Sequence, residues 1–89
     1  MNLLGWIRDN KSRCVIECPT LVLVSEEIRD YNPIGRALSA VDGISKVDTN
    51  YPEGKIYIEY NSSTISMIDM VRVIRRAGFK STTAKEVDS

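Results

Sequence analysis

A four-stranded antiparallel sheet with two helices on one face is the fold this sequence predicts, and three observations carry it. The first is a hairpin. Ile44 to Tyr51 and Lys55 to Tyr60 are rich in β-branched and aromatic residues, and Pro52-Glu53-Gly54 separates them. Pro presets the turn, and Gly accepts the positive φ of a tight reversal. In the second run Ile56, Ile58 and Tyr60 alternate with Lys55, Tyr57 and Glu59, the period of a half-buried strand. The second observation is a helical pattern on each side of the hairpin. The third is the apolar run Leu21-Val22-Leu23-Val24, as expected of a central strand covered on both faces.

In chain order, residues 1–12 read as an extension whose Leu3, Leu4, Trp6 and Ile7 dock on the domain or on another chain. Pro19 donates nothing to a ladder, so the central strand is expected to begin at or just after it. Arg13 to Glu17 either continues that strand past a bulge or forms a separate piece, and both readings stay open at this point. Ser25 to Tyr31 reads as a charged connector. Asn32-Pro33 then starts a helix, with Asn as N-cap and Pro in the first turn. Ile34, Ala37, Leu38 and Val41 follow at helical spacing, and Asp42-Gly43 ends the run.

Beyond the hairpin, Ser66-Met67-Ile68-Asp69 fits a capping box. Ile68, Val71, Ile74 and Ala77, with Met67 and Met70 beside them, form the expected buried stripe of a second helix. Arg72, Arg75 and Arg76 decorate its solvent side, and Gly78 stops it. Phe79 to Val87 is a final strand, and residues 88–89 a polar tail. The order strand-helix-strand-strand-helix-strand, with right-handed crossovers, gives the ferredoxin-like βαββαβ sandwich, an α+β fold, over residues 13–87.

Composition narrows the function. Twelve basic and twelve acidic side chains cancel, so net charge draws the chain toward neither nucleic acid nor anionic lipid. No apolar run approaches the length of a membrane span, so direct insertion is not expected, and the default location is cytoplasmic. With no histidine there is no imidazole metal ligand and no histidine base. No base, nucleophile and orienting group can be assembled, so an enzyme is not expected. Cys14 and Cys18 stand four apart, too far to bridge on a strand and on one face of a helix. Small buried side chains are the plainer reading of the pair. Tyr57, between Lys55 and Glu59 on the outer sheet face, is a candidate for a protein contact, as is Trp6.

These landmarks also match a family. Ile34, Ala37-Leu38, Val41, Gly43-Ile44, Val47-Asp48, Glu53-Gly54-Lys55, Ile58-Glu59-Tyr60, Ile65-Ser66, the Val71–Ile74 helix and Ala77-Gly78-Phe79 resemble the heavy-metal-associated domain. The resemblance runs from about Thr20 to Lys85. That family comprises copper chaperones and the N-terminal modules of metal-transporting P-type ATPases. Its chemistry lies in a Gly-Met-x-Cys-x-x-Cys loop between the first strand and the first helix, where two thiolates hold a soft ion. Counting back from Gly43, the family's cysteine positions fall on Glu27 and Asp30, and its Gly-Met pair on Val24-Ser25.

What the resemblance implies is therefore a non-enzymatic interaction or regulatory module of metal handling or transport, without the usual thiolate site and with no cofactor. Its expected partner is a metal-transporting P-type ATPase or a second copy of the chain. The alternative is a metal chaperone or sensor with an altered site for a transition-metal ion. Glu27 and Asp30, or Cys14 and Cys18, would then be the ligands.

Overall fold

The computed structural model describes residues 11–87. Four strands, β1 (Lys11–Glu17), β2 (Ile44–Asn50), β3 (Lys55–Asn61) and β4 (Thr83–Val87), form one sheet in the order β2-β3-β1-β4, with antiparallel neighbours throughout. Helices α1 (Glu26–Tyr31) and α2 (Pro33–Ser39) make the first crossover, and α3 (Met67–Arg76) makes the second. This is the ferredoxin-like βαββαβ sandwich, with the first and third strands central.

The first strand lies earlier than its most apolar stretch indicated. β1 is Lys11–Glu17, so Lys11 and Ser12 belong to the sheet, while Pro19–Leu23 is a 3-10 turn instead of the expected strand. The physical reason is alternation. Cys14, Ile16 and Cys18 project to the core every second residue, and Cys14 and Ile16 stand opposite Ile58 and Ile56. Pro19 then ends the ladder. Of the run Leu21–Val24 only Leu21 is fully buried. The sparse alternating run, not the dense apolar one, makes the strand.

The connector Ser25–Tyr31 is also more ordered than expected. Ser25 caps α1, accepting from the Ile28 N–H at 3.4 Å, and Asn32 ends that helix at φ 55°. The left-handed Asn32 immediately caps α2, its Oδ1 accepting from the Gly35 N–H at 3.1 Å, so one residue separates two short helices. The hairpin forms as the sequence indicates. At its tip Gly54 adopts φ +67° and lies against Cys18 and Pro19, where a Cβ would meet the Cys18 carbonyl at 3.1 Å. The Cys18 N–H donates to the Gly54 carbonyl at 2.7 Å, tying the hairpin end to the exit from β1.

α3 carries the capping box: Asp69 N–H to Ser66 Oγ at 3.3 Å and Ser66 N–H to Asp69 Oδ2 at 3.2 Å. Its buried side chains are Met70 and Ile74, with Met67, Val71 and Val73 packed beside them. Ile68, expected in the stripe, is 66% exposed. With Met70 and Ile74 one turn apart on the core side, Ile68 stands off that line by the helical period. The core is the layer between Ile16, Ile56 and Ile58 on the sheet and Leu21, Ile34, Leu38, Met70 and Ile74 above it.

Candidate functional site

The segment joining β1 to α1 is where this architecture gathers its least ordinary features. It opens at Cys18, whose side chain continues the inward alternation of β1. Cys18 is 0% exposed, and its S–H donates to the Lys80 carbonyl at 3.0 Å. Burial pushes its pKa above the usual thiol value, an effect partly offset by the contact with Thr20. The Leu21 N–H donates back to the Cys18 carbonyl at 3.0 Å and the Val24 N–H to the Leu21 carbonyl at 3.1 Å, which makes the 3-10 turn. Leu21 fills the core, while Val22 and Leu23, 84% exposed, project outward.

Arg29 fixes the far end of the segment. Its Nε donates to the Val24 carbonyl and its Nη2 to the Val22 carbonyl, both at 3.0 Å. One guanidinium thus satisfies two carbonyls that a strand would have paired with a neighbour. Arg36 does similar work one turn on, donating to the Tyr31 carbonyl at 2.6 Å and stacking 4.6 Å from the centre of the Tyr31 ring. The outcome is a braced segment in which Val22, Leu23, Ile28 and Tyr31 are exposed apolar side chains, with Glu26, Glu27 and Asp30 exposed on the same helix as Ile28 and Tyr31.

Glu27 and Asp30 both lie on α1, exposed to solvent. The count back from Gly43 that brought them to the family's cysteine positions does not depend on where the first strand lies, and the structure sets both on a helix. Measured from the true strand end, the loop begins at Cys18-Pro19 and closes at Ser25. Among the described residues no three His, Cys, Asp or Glu side chains are grouped to hold a metal ion.

Cys14 and Cys18 do not precede the first strand. Cys14 lies within β1, and Cys18 directly follows it. Four residues of strand separate their Cα atoms by roughly 13 Å, beyond the reach of a disulfide within one chain. Cys14 is 1% exposed, its S–H directed at Met70 Sδ at 3.9 Å. Burial, and then the charge of Glu86, raises its pKa to about 11. Both thiols are therefore protonated, inward-facing groups at neutral pH.

Tyr57 stands on the open sheet face, 40% exposed, opposite Val15 and Asp48, with its O–H donated to Glu53 Oε1 at 3.2 Å. A shallow hollow of about 360 Å³ adjoins it, with Arg13, Lys46, Asp48 and Glu59 in its lining. The signs alternate across this face, and Arg13 approaches Glu59 at 3.9 Å, so no single charged ligand is favoured there. Trp6 lies outside the described residues. The exposed apolar set at Val22, Leu23, Ile28 and Tyr31 was missed from sequence. Its one readable signal was Pro19, which stands too close to Leu21 for the apolar run to join the preceding ladder.

Several solved structures share this arrangement of strands and helices. Oxidized MerP from Ralstonia metallidurans CH34 superposes with a TM-score of 0.70 at 18% identity, over 81% of this chain and 94% of that one. A CopZ metallochaperone gives 0.70 at 18% identity, over 80% of this chain and 100% of its own. The N-terminal domain of a potential copper-translocating P-type ATPase from Bacillus subtilis, in the Cu(I)-loaded state, gives 0.65 at 20% identity, over 89% and 94%. The chain has their fold. No family model matches it, and no curated protein does. At 18–20% identity the likeness establishes architecture, and the chemistry rests on the side chains present. Among the described residues no helix is long and apolar enough to cross a membrane.

Proposed function

We propose that this chain is a non-enzymatic interaction or regulatory module of a metal-handling system, built on the fold of metal-delivery domains and working without a thiolate pair in the loop after its first strand. The observation that carries the reading is Cys18. It is the only cysteine of that loop, and its sulfur is turned into the core and spent on the Lys80 carbonyl. A thiolate that passes metal to a partner needs exposure and a lowered pKa, and Cys18 has the opposite of each.

The module acts through the surface that replaces the metal loop. Leu23, Ile28 and Tyr31 supply apolar contact area, and Glu26, Glu27 and Asp30 select a partner with basic side chains around an apolar centre. A soluble domain of a metal-transporting P-type ATPase and a second copy of this chain are the partners considered. Tyr57 is assigned to a secondary contact. The cytoplasm is the assigned location.

A second reading, a metal chaperone or sensor with an altered site, draws on the Cu(I)-loaded state in which one similar structure was solved. Its ligands would be Glu27 and Asp30, or Cys14 and Cys18. Anaerobic titration of the reduced protein with Cu(I), Zn(II) and Fe(II), followed by native mass spectrometry, separates the two. The interaction module takes up no ion saturably. One ion per chain or per dimer, lost when either residue pair is changed, overturns it.

A further inference from the structure

An apolar groove of about 330 Å³ runs between α3 and the edge strand β4, lined by Met67, Ile68, Val71, Arg72, Arg75 and Ala84. Ile68, the most exposed side chain of this lining after the charged ones, stands on the first turn of a helix whose start is fixed by its capping box. A large aliphatic held in the open beside half-buried Met67 and Val71 is a surface shaped for an apolar occupant. The two guanidiniums give it a cationic rim.

The chain carries such an occupant a few residues away. Lys11 opens β1 opposite Asn61, and five residues after Asn61 the chain reaches Ser66, the cap of α3. The start of β1 and the first turn of α3 therefore lie at the same end of the molecule. β4 pairs directly with β1, and its groove residue Ala84 stands opposite Ile16, so that end of the groove lies roughly 17 Å along the strand from Lys11, while the Met67–Ile68 end lies at the first turn of α3. Those ten residues include Leu3, Leu4, Trp6 and Ile7, four large apolar side chains within five positions. The five residues from Trp6 to Lys11 reach at most roughly 17 Å, a span that serves the Met67–Ile68 end of the groove and not its Ala84 end. An indole suits a groove rimmed by arginines, because its face attracts a guanidinium within about 6 Å. A tether this short also holds the segment near the groove at a millimolar-scale effective concentration, which a free partner must exceed.

We propose that the groove between α3 and β4 is the docking site of the chain's own N-terminal segment, with Trp6 seated against Ile68 between Arg72 and Arg75. This goes beyond the interaction reading above and does not depend on it, since the groove shares no residue with α1 or the loop. Docking covers the one apolar stripe of α3 that the core leaves out, and closes the edge of the sheet beside it.

Trp6 is the only tryptophan in the chain, so its fluorescence reports the docking directly. In the full-length protein the emission maximum is expected well to the blue of that in denaturant, with weak acrylamide quenching, and both independent of protein concentration. Ile68→Glu, at a position exposed enough to leave the fold intact by circular dichroism, is expected to move the emission to the denatured value and raise quenching accordingly, while Ile68→Leu leaves both unchanged. A second measurement needs no variant: nuclear Overhauser contacts between the Trp6 indole and the Ile68 methyl groups. A native emission equal to the denatured one overturns the proposal, as does a blue emission indifferent to Ile68→Glu or an absence of those contacts. Emission that turns blue only as concentration rises assigns the groove to another copy's segment and overturns docking within one chain.

Discussion

Asn32 joins α1, α2 and the hairpin through one side chain. At φ 55° it ends α1, its Oδ1 accepts the Gly35 N–H at 3.1 Å to begin α2, and the same oxygen takes the Tyr51 O–H at 2.7 Å from the end of the hairpin. Asn32→Ala removes the cap and leaves an alanine in the left-handed region, so it is expected to cost about 2 kcal/mol, half from each effect. Asn32→Gly keeps the backbone permitted and is expected to cost less. Urea midpoints at unchanged slope test the ordering. Gly35 is constrained by the same residue, because a Cβ there would collide with the Asn32 side-chain amide. Cys14 predicts an alkaline effect. Above the ordinary thiol value of 9.0 the unfolded chain loses this proton, while the folded chain keeps it to about 11. The unfolded state then binds fewer protons, and stability falls as pH rises through that window. In Cys14→Ala this part of the slope between pH 9 and 11 should vanish.

At the scale of elements, α2, the hairpin and α3 were legible because their punctuation is local. Asn32-Pro33, Pro52-Glu53-Gly54, the Ser66–Asp69 box and Gly78 each act through backbone atoms within a few residues, and each stands in the structure where the sequence indicated. β1 was not legible in the same way. Whether Arg13–Glu17 or Leu21–Val24 occupies the centre of the sheet depends on partners far along the chain: Ile56 and Ile58 across the ladder, and Gly54 and Lys80 against Cys18. Misplacing that strand also shortened the expected loop, which runs from Cys18 to Ser25 in the structure. α1 escaped notice because its six residues bury nothing and bear an amphipathic pattern too short to read. At this scale Ser66→Ala is expected to lower stability by roughly 1 kcal/mol through loss of the α3 cap, measured as a drop in melting temperature. The depressed Asp69 carboxyl, held by the Ser66 backbone and then its hydroxyl, makes part of that stability disappear as pH falls through the Asp69 titration.

For the whole molecule the division of labour is spatial. Both sulfur atoms of the cysteines face the core between sheet and helices, and what the molecule presents after β1 is a set of exposed apolar side chains on a segment braced by Arg29, with exposed carboxylates on α1. Leu23→Asp, at a fully outward position, is expected to change stability by less than about 0.5 kcal/mol. It should nonetheless abolish binding of a purified partner domain, measured by calorimetry. The fold was legible at this scale from element order alone, since two crossovers of one hand leave few alternatives. The surface was not, because exposure of an apolar side chain is decided by everything that fails to cover it. An interaction module of this kind requires both thiols to be structural. The measurement that tests this most directly is the anaerobic rate at which each reacts with iodoacetamide in the folded, reduced protein, with and without Cu(I). Buried structural thiols react only as fast as the chain unfolds, at rates that climb with denaturant and ignore copper. A thiol that reacts in the native state at the rate of a free cysteine, and is protected by one equivalent of Cu(I), would contradict the account and return metal binding to this chain.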